Sequence, residues 1–247
     1  MAIVTGGGTG LGLGYAEALA NAGAAVAVTG RRREPLDECV AQIEKSGGTA
    51  LAVPCDQRSR DEVEAAVQRV VGWREKVDIL VNNAGIYPPS PFIAIEEDQW
   101  TDVMDTNING PFRFSQACAR IMSQHGWGRI INILSPSALL GFVMVSAYGT
   151  SKGAVAAMTR TMAAELGPMG ITVNALTPGV SATETFVNFY SQVGVDLMSK
   201  GLPLGRACVN DDTTGALLLL ASEAGSYITG ANFCVDGGMT STFSIGS

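Results

Sequence analysis

The chain has 247 residues, 47% of them hydrophobic and 16% charged. A chain of that size and apolarity buries a substantial core without disulfide staples, which excludes a disordered polypeptide. Its formal net charge of -7 repels phosphate backbones and argues against general nucleic-acid binding.

From Ala2 onward, short apolar runs alternate with longer helical stretches. Strands are predicted over 2–5, 25–29, 50–54, 77–81, 129–134, 171–176 and 232–235. Helices are predicted over 11–22, 34–46, 60–73, 98–124, 147–166 and 211–222. The strand runs are continuously apolar rather than alternating, as expected for strands buried on both faces. Repeated βα units imply an α/β fold, a doubly wound, Rossmann-type, seven-stranded parallel sheet with helices on both faces. No linker, composition break or repeat divides the chain, so residues 1–247 are expected to form one domain. Two stretches, 85–95 and 181–205, break the alternation. Both follow strands and are placed at the carboxyl edge of the sheet, where such folds bind ligands.

Five cysteines, Cys39, Cys55, Cys118, Cys208 and Cys234, are odd in number and lack C-x-x-C spacing, which predicts reduced thiols. Cys55 and Cys234 fall in apolar strand-like runs and are expected to be buried. The opening MAIVTGGG does not read as a signal peptide. The longest apolar run, residues 216–221, is far short of the roughly 20 residues a membrane span needs. The expectation is a soluble, cytoplasmic chain.

The first strand runs into TGGGTGLG, residues 5–12. Gly6, Gly10 and Gly12 in G-x-x-x-G-x-G spacing allow a tight turn and aim a helix N-terminus at a pyrophosphate; alone, the same glycines would serve an ordinary turn. A site for NAD needs a carboxylate at the end of the second strand. Here Gly30 is followed by Arg31, Arg32 and Arg33, and no acid precedes Glu34. Guanidinium groups there suit a 2′-phosphate, against the alternative of a solvated basic turn. Tyr148 and Lys152, four residues apart, share one helical face. An ammonium beside the phenol is expected to lower its pKa from about 10 and fit it for proton transfer. Taken alone, such a pair is usually a solvated surface feature. Ser135, just past a strand, can hydrogen-bond a carbonyl or simply cap a turn. Asn107 lies inside the predicted helix 98–124, where a buried Asn needs partners.

In combination, TGGGTGLG (5–12), Cys55-Asp56, NNAG (82–85), Asn107, Ser135, YGTSK (148–152), Pro178-Gly179 and DGG (236–238) resemble the short-chain dehydrogenase/reductase family. The segments keep the family's order and span the chain. The resemblance implies that Tyr148 is the general acid/base, that Lys152 tunes it and holds the nicotinamide ribose, and that Ser135 polarises the substrate carbonyl. It implies that Asn107 keeps a helix distorted and anchors a water leading to Lys152. Cofactor contacts are implied for Gly6, Thr9, Gly10, Leu11 and Gly12, for Arg31 and Arg32, and for Asp56 against adenine. Further contacts are implied for Asn82, Ala84, Gly85, Pro178, Gly179, Val180 and Thr183. It also implies a homotetramer or, as the alternative, a dimer. Thr9 stands where some NADP(H)-dependent relatives have a cation, so the NADP(H) expectation, in preference to NAD(H), rests on Arg31 and its neighbours. Gly149 and Gly153 slightly weaken the helix bearing Tyr148. The chain also starts almost inside its first strand, which could leave that strand less supported.

The expected reaction is hydride transfer between nicotinamide and a small carbonyl or secondary-alcohol substrate. Tyr87, Pro136, Ser137, Leu139, Phe142, Phe186 and Phe189 are expected to shape the pocket. They fit a hydrophobic or aromatic ketone, with sugars, acyl-thioester ketones and steroids left open. A serine hydrolase is disfavoured: the one histidine, His125, reads as a solvated helix end, and there is no G-x-S-x-G elbow. With one His and no clustered Cys, no metal site is expected. A dinucleotide-binding regulator or scaffold of the same fold is the remaining alternative, set against an intact Asn107, Ser135, Tyr148 and Lys152.

Overall fold

Seven strands line up in the order β3-β2-β1-β4-β5-β6-β7: β1 Ala2–Thr5, β2 Ala25–Gly30, β3 Thr49–Pro54, β4 Ile79–Asn82, β5 Gly128–Ile133, β6 Ile171–Pro178 and β7 Asn232–Val235. Every pairing is parallel. The computed structural model describes residues 1–182 and 184–242; Thr183 and the side chains of Phe186, Phe189 and Tyr190 lie outside the described residues.

Parallel strands must be joined by crossovers, and these are helical: α1 Gly10–Asn21, α2 Arg33–Lys45, α3 Arg60–Arg74, α4 Glu97–Met104, α5 Gly110–His125, α6 Ser146–Leu166, α7 Glu184–Lys200 and α8 Asn210–Ala221. Local chemistry sets their ends. The Ser59 hydroxyl accepts from the Glu62 amide at 3.3 Å at the start of α3, and Gly126 ends α5 at φ 64°. His125 is the last, exposed residue of α5.

The period of two along each strand divides the core. Ala2 and Val4 pack with Tyr15, Leu36 and Leu217 on one face, from α1, α2 and α8. Ile3 packs with Val67, Phe114 and Met122 on the other, from α3 and α5. Burial on both faces explains the continuous apolar strands. β1 is central rather than weakly held, and the Met1 carbonyl extends its pairing by accepting from Asp78 and Ile79 at 3.0 Å each.

Three expectations need correction. The predicted helix 98–124 is two helices joined by a π-helical turn, Asp105–Asn109. The irregular stretch after β6 contains α7, bent at Ser191, whose φ of 60° and ψ of 161° are not helical. Cys234 is exposed, because β7 is an edge strand and its residues alternate between exposed and half-buried. Cys55 is buried as expected.

Candidate active site

The strand order reverses between β1 and β4, so the loops leaving those two strands diverge and leave a crevice at the carboxyl edge. Gly6 turns at φ +63°, and a Cβ there would sit 2.9 Å from the Ala84 Cα. At Gly12 a Cβ would fall 2.1 Å from the Gly6 carbonyl oxygen, a clash of backbone with backbone. Asn83, missed from the sequence, holds the two loops together. Its Nδ2 donates to the Thr5 carbonyl at 3.0 Å and the Gly6 carbonyl at 3.2 Å. The Thr5 hydroxyl in turn accepts from the amides of Asn83 and Ala84 at 3.0 Å each.

A cavity of about 1060 Å³ begins at this glycine loop and runs along the sheet edge to Tyr148. Thr9, at the head of α1, makes no side-chain cap, and the first turn carries no acid. The leading N–H groups of α1 are therefore left for an anion. Arg31 and Arg32 line the cavity, whereas Arg33 pairs on the surface with Asp37 at 3.0 Å. These features fit a dinucleotide: turn glycines where a Cβ would collide, a helix N-terminus for the pyrophosphate, and exposed guanidinium groups beside the ribose end.

Asp56 lines the same end and is held by Arg58, a second residue missed from the sequence. The guanidinium donates to Asp56 at 2.7 Å and to Asp102 at 2.5 Å, tying the loop after β3 to α4. Its hydrogen bonds hold the Asp56 carboxyl below the usual carboxylate range. Gln57, nearly buried, donates to the Thr106 carbonyl at 2.8 Å and the Ala84 carbonyl at 3.3 Å. No motif marks Arg58 or Gln57; only the approach of α4 and the π-helical turn to β3 gives them partners.

At the other end, α6 brings Tyr148 and Lys152 to the cavity wall. The Lys152 Nζ donates to the Ile133 carbonyl at 2.7 Å and lies 5.6 Å from the Tyr148 ring centre. The Ser135 and Ser137 hydroxyls share a hydrogen bond of 2.7 Å. Tyr87 packs edge-on against Tyr148 with ring centres 4.9 Å apart. Gly149 has a purpose beyond helix propensity: a Cβ there would sit 3.1 Å from the Ser137 carbonyl oxygen.

The expected depression of the Tyr148 pKa is not found. Burial pushes the phenol up to about 12, with the Ser135 hydroxyl opposing. Burial also lowers the Lys152 ammonium to about 8. Desolvation of each group outweighs an attraction acting over the 5.6 Å to the ring.

Asn107 sits in the π-helical turn, 1% exposed, and does not line the cavity. Its Nδ2 donates to the Ile86 carbonyl at 2.9 Å and the Ser151 hydroxyl at 3.1 Å, and its Oδ1 accepts from the Ile86 amide at 2.8 Å. It braces the loop after β4 against α6 and acts on the site through those neighbours. Asn82 also needs correction. Its side chain is buried away from the cavity and donates to Ser115 at 2.9 Å and Asn132 at 2.8 Å. The neighbouring Asn83 faces the cavity instead, because side chains alternate along a strand. Gly6, Thr9, Gly10, Leu11, Gly12, Ala84, Gly85, Pro178, Gly179, Val180, Ser137 and Phe142 all line it. Leu139 does not and is half exposed. Thr183 and Phe186 fall outside the described residues. Among the described residues no group of His, Cys, Asp or Glu could hold a metal ion, and no helix is long and apolar enough to cross a membrane.

A glycine-turned crevice at the strand-order reversal, leading to a Ser, Tyr and Lys cluster, defines a dinucleotide-dependent oxidoreductase scaffold. The family model described as short chain dehydrogenase matches residues 1–194, and the chain belongs to that family. The short-chain reductase protein NovJ of Streptomyces niveus is 38% identical over 244 residues, 96% of this chain and 93% of the relative. Gluconate 5-dehydrogenase of Gluconobacter oxydans is 37% identical, covering 86% of this chain and 84% of its own. A solved gluconate 5-dehydrogenase from Burkholderia cenocepacia, in complex with NADP and tartrate, superposes with a TM-score of 0.93 at 36% identity, covering 98% of this chain and 95% of that one. The protein is an oxidoreductase of this family, acting on alcohol or carbonyl groups with a nicotinamide cofactor.

Proposed function

We propose that the protein is an NADP(H)-dependent carbonyl reductase in which Tyr148 is the general acid/base. The observation that carries this reading is the meeting of Tyr148, Ser135 and Lys152 on one wall of the cavity that starts at the glycine loop. A bound nicotinamide dinucleotide supplies the hydride to the carbonyl carbon, or removes it from the alcohol. Gly6, Gly10 and Gly12 let the backbone close on the pyrophosphate, and the N–H groups heading α1 hold its charge. Asp56, fixed by Arg58, faces the adenine end. Arg31 and Arg32 hold a 2′-phosphate, which sets the preference for NADP(H) over NAD(H).

The Ser135 hydroxyl donates to the substrate oxygen and positions it beside the Tyr148 phenol. That phenol delivers its proton to the oxygen as the hydride reaches carbon, and recovers one from solvent afterwards. Lys152, anchored on the Ile133 carbonyl, supplies the positive charge that makes the phenolate tolerable. This is general acid catalysis added to positioning. We further propose that residues 1–247 act as one domain and assemble as a cytoplasmic homotetramer, as the family resemblance implies.

Tyr148→Phe tests the reading. Turnover of ketones with NADPH is expected to fall by at least about 100-fold, the usual contribution of a positioned proton donor, while NADPH fluorescence titration gives an unchanged Kd. Full activity in the variant would sink the assignment.

A further inference from the structure

Among the described residues, the charge lining the cavity is concentrated at one end. Arg31, Arg32, Asp56, Arg58 and Asp102 line it beyond β2 and β3. Around Tyr148, beyond β4 to β7, the one charged lining residue among the described residues is Lys152. Its ammonium donates to the Ile133 carbonyl at 2.7 Å and lies beside the Tyr148 ring. The surrounding wall is Ile86, Tyr87, Phe142, Val145, Met198 and Met239. In the sequence, residues 183–190 and 243–247 contain no Lys, Arg or His.

We propose that the substrate is an uncharged ketone with an apolar, aromatic or alicyclic body, and that sugar acids and phosphorylated sugars are rejected. The proposal rests on Tyr148 being the proton donor. A carboxylate drawn into this end would lose its hydration and find no guanidinium to replace it. An apolar body gains by leaving water against aromatic and thioether walls, and the two methionines can adapt to its shape. Ser135 and Ser137 then serve the single oxygen that reacts.

The test is a matched pair of probes, methyl 4-acetylphenylacetate and 4-acetylphenylacetate, which differ in charge but not in the ketone. With NADPH, kcat/KM for the ester is expected to exceed that for the acid by about 100-fold, the effect of leaving a charge unpaired in an apolar pocket. In thermal melts with NADP+, the ester raises Tm further and the acid does not. Phe142→Arg, which adds a cation to this wall, is expected to narrow the kinetic gap to below about tenfold, chiefly by improving the acid. An acid turned over as well as its ester overturns the substrate assignment and leaves the role of Tyr148 standing. Equal ester turnover by wild type and Tyr148→Phe overturns that role instead. Turnover of neither probe, with NADPH still bound, also overturns the substrate assignment.

Discussion

Burial pushes the pKa of Tyr148 up to about 12, so the phenol is protonated at neutral pH. Lys152 moves the other way, to about 8 from 10.5, and this has a measurable consequence for stability. In the unfolded chain the ammonium keeps its proton up to about pH 10.5, whereas in the folded chain it loses it from about pH 8. Between those values the unfolded state binds more protons, so stability rises with pH. Urea unfolding of the wild type and of Lys152→Met, compared from pH 7 to 9.5, is expected to show the wild type gaining on the variant above pH 8. A constant difference would mean the ammonium is not desolvated. Arg31 gives a second test at this scale. Arg31→Asp removes a guanidinium and adds a charge that repels a 2′-phosphate. The kcat/KM ratio of NADPH to NADH is expected to fall by about 10- to 100-fold, the worth of one or two charge-assisted hydrogen bonds. An unchanged ratio places the 2′-phosphate elsewhere.

The π-helical turn Asp105–Asn109 is the element that most affects the site. An extra residue in that turn puts Asn107 where it meets both the Ile86 backbone and Ser151. Ser151 in turn donates to the Tyr148 carbonyl at 2.7 Å, so the turn is linked to the start of α6 through two hydrogen bonds. Asn107→Ala leaves the part-buried Ile86 N–H and C=O without this partner and is expected to cost about 1–3 kcal/mol in denaturant unfolding. Asn107→Asp keeps an acceptor for the Ile86 amide but buries a carboxylate against the Ile86 carbonyl, so its loss is expected to be at least as large as that of alanine. If both variants unfold like the wild type, the bracing role fails. Periodicity alone did not reveal the distortion, whereas the family resemblance implied it at Asn107. Residues 98–124 carry a helical pattern throughout, and a single inserted residue leaves hydrophobic periodicity almost intact. Asn107 itself was legible as an oddity, a mediocre helix former at a buried place.

Across the whole molecule, the cofactor is expected to act as a tether. The proposed site joins loops leaving β1, β2, β3, β4, β5 and β6, so a dinucleotide bound there couples both halves of the sheet. NADP+ at a hundred times its Kd is expected to stabilise the fold by about 2.7 kcal/mol, read as a rise in Tm. NAD+ at the same concentration is expected to give a smaller rise. Equal rises would contradict the role given to the arginines. The same measurement on the isolated chain and in sedimentation tests whether assembly into a tetramer accompanies binding.

Strand identity, sheet class and the placing of Tyr148 and Lys152 on one helical face were determined by the sequence alone, since they rest on local patterns. A strand buried on both faces must be apolar along its length, a glycine must stand wherever a Cβ would strike backbone, and Tyr148 and Lys152 share a face by helical geometry. What only the tertiary structure decided depends on distance across the fold. Whether Asn82 or Asn83 reaches the cavity turns on which way β4 presents its side chains. Arg58 has a purpose because α4 brings Asp102 to Asp56, and Cys234 is exposed because it shares the open face of β7 with Asn232, at the edge of the sheet among the described residues. The direction of the Tyr148 and Lys152 shifts belongs here too: spacing brings charge and phenol together, but the depth of burial decides whether attraction or desolvation prevails.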